Sequence, residues 1–98
     1  MSRSHLQEPF MREVARTFFA TKDRIVRRLH DPSANAEAIV DDELRGLYHG
    51  LLVILDGGSS LANEGLVSIV DEEGQAFDHF LHEICMRYWP PRSRSSVE

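Results

Sequence analysis

A small α+β domain, mostly helical, is what the sequence predicts: an antiparallel helix pair, a short β-hairpin and a C-terminal helix. Three observations predict it. Two stretches carry apolar residues at helical spacing, and Asp31–Pro32 divides them. A β-branched run, Val67–Ser68–Ile69–Val70, leads into the turn sequence Asp71–Glu72–Glu73–Gly74. A last periodic segment ends at Pro90–Pro91.

The first helix is expected over residues 9–30. Phe10, Val14, Phe18, Ile25 and Leu29 form its stripe, widened by Met11, Ala15 and Phe19. Pro9 suits the first turn, where a missing N–H costs nothing. Proline at 32 disfavours helical geometry at Asp31 and ends the segment. Residues 36–55 read as the second helix. Ser33 and Asn35 are candidate N-caps, and Glu37, Asp41, Asp42 and Glu43 favour its N-terminal half. Its stripe is Val40, Leu44, Leu47, Leu51 and Leu55. The run 51–55 also fits a short buried strand, but length and the continuing period favour helix.

Gly57 stands where a left-handed residue closes a helix. Ser59 or Ser60 then caps one further turn over 61–64, with Gly65 behind it. Residues 67–70 and 75–77 form the hairpin, and its loop is a type I turn closed by left-handed Gly74. Asp78 caps a helix over 79–88 whose Phe80, Leu81, Ile84, Cys85 and Tyr88 turn inward. The whole of 1–98 reads as one small domain, with 1–8 and 90–98 as frayed polar tails.

Composition narrows the function. An apolar fraction of 42% and a charged fraction of 28% describe a soluble globular chain. A chain this short buries roughly 60–65% of its unfolded surface, so its core is small. The longest apolar run, Leu51–Leu55, is far below the roughly 20 residues of a membrane helix. The first ten residues lack the apolar stretch of a secretion signal, and one cysteine builds no disulfide framework. A cytoplasmic location follows as the expectation, with no membrane partner. The net charge of −5 is uneven. Residues 1–31 hold seven Arg or Lys against four acids; residues 32–89 hold two arginines against eleven acids. The basic segment is expected to lie against the acidic one. The remaining acidic surface disfavours nucleic acid.

The candidate chemistries are weak. The glycine–serine stretch 56–60 lacks the strand-then-helix context and the lysine of a phosphate loop, and Ser59 and Ser60 lack a nucleophile elbow. His79, His82 and Glu83 share a helical segment without the spacing of a zinc protease; His49 or His5 would have to supply further ligands. No metal site and no cofactor are therefore expected. Cys85 reads as a small buried hydrophobe. Gly46 and Gly50 share one face of the second helix, flat enough for close packing on the first helix or on a second chain.

The reading that results is a non-catalytic, acidic interaction module, of the type of a small regulator or an immunity protein. It would present Asp41, Asp42, Glu43, Asp71, Glu72 and Glu73 to a basic protein partner. A homodimer is also expected, through Gly46 and Gly50 and through the strand edge at Val67 and Ile69. The alternative is a small ligand-binding domain or enzyme that uses the histidine–carboxylate cluster of the C-terminal helix. A pocket that gathers His49, His79, His82 and Glu83 would favour it.

Overall fold

A computed structural model describes residues 4–58, 60–78 and 80–90. Helix α1 spans Gln7–Leu29. Pro9 lies in its first turn, and the first helical bond runs from the Phe10 N–H to the Leu6 carbonyl at 2.8 Å. The helix stops at His30, just before Asp31–Pro32, as proline requires. Helix α2 spans Ala36–Leu55, so residues 51–55 are helix and not strand. Asn35 is its N-cap, accepting from the Ala38 N–H at 3.0 Å. Ser33 is used otherwise: its N–H and hydroxyl both donate to the Asp31 carboxylate at 2.9 Å. Gly57 closes α2 with φ +81°, and the Gly58 N–H returns to the Val53 carbonyl at 2.9 Å. A 3-10 turn, Ser60–Asn63, follows.

The expected β-hairpin is corrected by the structure. The described residues contain no strand and no sheet. The turn itself forms: Gly74 takes φ +83°, its N–H donates to the Asp71 carbonyl at 3.0 Å, and Asp71 N–H donates to Gln75 at 2.9 Å. Beyond it the pairing amounts to one isolated bridge, Val70 with Ala76, and one bond from Phe77 N–H to Ile69 at 3.2 Å. The flanks are too short for a ladder, and Val70 and Phe77 remain exposed. Two strands with no covered face are marginal in water. The fold is therefore helical rather than α+β.

The C-terminal helix is also shorter than expected. Helix α3 covers Leu81–Ile84, and Cys85–Tyr88 continue as a 3-10 turn. Ile84 and Cys85 are inward as expected, but Phe80 and Tyr88 are exposed.

α1 and α2 run antiparallel. Thr17 meets Gly50, Arg24 meets Glu43, and Arg28 meets Asp42 and Glu43. The contact edge of α1 is thus Thr17, Thr21, Arg24 and Arg28, with Thr21 buried. The apolar stripe is only partly on it: Phe10 falls on this edge, and Val14 and Ile25 lie next to it, all three half-buried. At 3.6 residues per turn, Phe18 and Leu29, with Met11 beside them, lie about a quarter turn away, and these three are exposed. On α2 the contact edge is Ile39, Glu43, Gly50 and Ile54. The stripe of Val40, Leu44, Leu47 and Leu51 is again displaced by about a quarter turn in the same sense. Antiparallel helices turned in the same sense present both stripes on one side of the pair.

The described residues that follow α2 pack mainly on the other sides, with Leu55 at the end of the α2 stripe lining a groove against them. Leu61 is buried beside Pro9, Arg12 and Glu13 of α1. The Tyr48 hydroxyl donates to the Cys85 carbonyl at 2.9 Å, and the Trp89 ring packs on Tyr48 at 5.2 Å, tilted by 38°. Among the described residues the buried apolar side chains are few: Ile39, Ile54, Leu61 and Cys85. The molecule is long, 52 × 28 × 21 Å. Its radius of gyration is 16.4 Å, against about 13 Å for a compact chain of this length. No helix among the described residues is long and apolar enough to cross a membrane.

Candidate functional site

The two acidic triplets have different fates. The first, on α2, is engaged by its own chain. Glu43 is buried and accepts from Arg24 Nε and Arg28 Nη1, both at 2.9 Å. These hydrogen bonds, Arg24's first, hold its carboxyl below the usual range. Asp42 accepts from Arg28 at 2.8 Å, which lowers its pKa too. Asp41 accepts from Arg45 at 3.1 Å and from the Trp89 indole N–H at 3.2 Å. So the basic segment does lie against the acidic one, as its charge implied. Little of this triplet remains for another protein.

The second triplet sits on the turn and divides again. The Asp71 carboxylate accepts from the Glu73 and Gln75 N–H groups at 2.8 and 3.0 Å, which shapes the turn. Among the described residues, nothing engages the Glu72 and Glu73 carboxylates, and both residues are exposed. Around them the loop is unexpectedly apolar at its surface. Val70 is 49% exposed, Phe77 53% and Phe80 57%. Between this loop and the end of α2 lies an open groove of about 190 Å³, lined by Leu55, Val67, Ile69, Phe77, Phe80 and Leu81, among others. The half-buried Val67 and Ile69, expected at a strand edge, are instead part of this lining.

Asp56 fixes the groove's base, and sequence reasoning did not find it. It ends α2, yet its Oδ2 accepts from both the backbone N–H and the Nδ1 of His82 at 2.7 Å. The carboxylate that caps α3 is therefore 26 residues upstream of His82 rather than Asp78 just before it. Burial pushes the Asp56 carboxyl up, but the hydrogen bonds from His82 and from Leu81 N–H outweigh it and hold it low. Nothing in the local sequence marks this role, because the pairing is made by tertiary contact alone.

The histidine cluster forms only in part. His49 and His82 meet edge to face at 5.6 Å. Glu83 is exposed, and His79 lies outside the described residues. The groove beside them has Asp56 in its lining, with neither His49 nor His82. No three His, Cys, Asp or Glu residues among those described converge on a point that would hold a metal. Of the glycine pair, Gly50 faces α1, where a Cβ would touch Thr17 at 3.8 Å; Gly46 faces open space. Gly50 therefore serves the helix pair inside one chain. Comparison with protein-family models, with curated proteins and with solved structures finds no match to this chain.

Proposed function

We propose that this chain is a non-catalytic interaction protein that binds a basic protein segment on the loop formed by residues 66–80. The observation that supports it is the juxtaposition of exposed apolar side chains, Val70, Phe77 and Phe80, with the unengaged carboxylates of Glu72 and Glu73 on one loop. The groove gives the contact its shape. Its 190 Å³ is below the roughly 300–1,000 Å³ of small-molecule sites and suits one apolar side chain. The complementary ligand is an extended segment with an apolar residue flanked by Lys or Arg. Its side chain enters the groove and its charges meet the turn. This supports a binding module over the alternative of a ligand-binding enzyme built on the histidines.

The test uses a lysine-rich peptide with a central leucine, and its alanine counterpart, titrated into isotope-labelled protein. Amide shifts confined to residues 66–82, stronger for the leucine peptide and lost in Glu72→Lys/Glu73→Lys, are the expected result. Shifts spread over α1, or equal for both peptides and both proteins, would refute the reading.

A further inference from the structure

We infer that the apolar side of the α1–α2 pair is covered by a second copy of this chain, giving a four-helix dimer in which α1 of each copy lies over α2 of the other. The surface meets the groove of the preceding proposal only at Leu55, the last residue of the α2 stripe, and the dimer contact does not include it.

The face is built from the two displaced stripes. Met11, Phe18, Val26 and Leu29 of α1 and Val40 and Leu44 of α2 are all exposed, while Leu47 and Leu51 are half-buried. The segments that follow α2 pack mainly elsewhere on the helix pair, through Tyr48, His49 and Asp41 of α2 and through Pro9, Arg12 and Glu13 of α1, and reach the α2 stripe at its last residue, Leu55. Two charges fall among the face positions: Glu8, five whole turns from Val26 and paired with Arg12 at 3.6 Å, and Lys22, whose ammonium lies 4.5 Å from the Phe19 ring centroid. Phe19 is on the outer side of α1, so the Lys22 charge is drawn to the rim and the centre stays apolar.

Area and symmetry select the occupant. Two helices side by side are about 20 Å wide, and twenty helical residues run about 30 Å. The face is thus on the order of 600 Å², close to the roughly 800 Å² that each partner gives to a standard interface. A single foreign helix would cover only about half of that width. A second copy supplies a face of the same width, length and chemistry, and an isologous contact closes as a dimer with no surface left over.

Charge sets the orientation. On the α1 rim Glu8 and Arg12 balance each other as a pair and Lys22 leaves it basic, while the α2 rim carries Glu37; Lys22 and Glu37 are both exposed. A two-fold axis parallel to the helices puts α1 over the partner's α2, basic rim against acidic rim, with every neighbouring pair antiparallel. The other two-fold arrangement sets α1 on α1 and places like rims together.

Sedimentation velocity of the full chain at micromolar concentrations tests the assembly, and cysteine pairing tests its geometry. The expected species has twice the 11.2 kDa chain mass. Leu44→Asp should return it to a monomer with its helical circular dichroism intact, because Leu44 is already 41% exposed. In a Cys85→Ser background, Phe18→Cys mixed with Leu47→Cys should form a mixed disulfide in preference to either self-pair, and Arg16→Cys on the far side should form none. A chain that stays at 11.2 kDa throughout the range overturns the dimer. A dimer indifferent to Leu44→Asp overturns the face, and a dominant Phe18→Cys self-pair overturns the orientation.

Discussion

Asp56 and Glu43 are the two carboxylates on which the described fold leans most. Each is held low in pKa, Asp56 by His82 and Leu81, Glu43 by Arg24 and Arg28. Ordinary values are 3.8 and 4.5. A folded-state pKa below the unfolded one means stabilisation that is fully present above the unfolded value and lost as pH falls through the folded one. Thermal unfolding should therefore be flat near neutrality and fall steeply below about pH 4. Asp56→Asn should lower stability at pH 7 by about 1–2 kcal/mol and flatten the acid limb. A variant that unfolds with the same pH slope as the parent would show that Asp56 is not the group that titrates. Glu43→Gln leaves Arg24 and Arg28 half-exposed and still hydrated, so its cost is of the order of 1–2 kcal/mol rather than that of a fully buried pair. Ile54→Ala acts through packing instead. It removes one of the few buried apolar side chains among the described residues and should cost about 2–5 kcal/mol with no change in pH slope, readable by denaturant unfolding.

At the scale of elements, the contacts that dock the C-terminal segment on α2 are few enough to remove singly. Tyr48→Phe deletes the bond to the Cys85 carbonyl and should cost about 1 kcal/mol, since the carbonyl loses a partner it had in a half-buried place. Trp89→Ala should cost more, through both the ring packing and the Asp41 bond. Hydrogen exchange would show faster amides over residues 81–89 and unchanged amides in α1. What the sequence made legible follows from the range of each cause. α2 was readable to the residue, because Asn35 and Gly57 are local signals at its ends. The turn at 71–74 was readable for the same reason. The hairpin was not, since β-branching at 67–70 reports a preference that only a packed face can realise. Which edge of α1 faces α2 was also hidden. The stripe of Phe18 and Leu29 signals burial against something, and the sequence does not say that Thr17, Thr21, Arg24 and Arg28 take the place beside α2. The candidate site shared that fate: Asp41, Asp42 and Glu43 are acidic in sequence but partnered in space.

For the whole molecule, charge governs how binding is approached more than how tightly it holds. With the α2 triplet engaged internally, Glu72 and Glu73 are the exposed acids that the proposed basic segment would meet at the turn. Association with such a partner should slow as salt rises, since the Debye length falls to about 10 Å at 0.1 M. Glu72→Lys/Glu73→Lys should slow it further while leaving the melting temperature nearly unchanged, because exposed turn charges contribute little to stability. Stopped-flow association at several ionic strengths separates the two effects. A rate insensitive to both salt and substitution would place the recognition in the groove alone, with no steering by the turn.

Cys85 is the one thiol in the chain, 2% exposed, with its S–H toward the His82 carbonyl at 3.4 Å. A modifying reagent reaches it only when residues 81–89 lift from α2. The labelling rate of the native protein is thus a clock for that opening, set by its free energy when reclosing is fast. Asp56→Asn and Trp89→Ala should each run the clock faster. Val26→Asp, on exposed α1 surface away from the segment, should leave it unchanged.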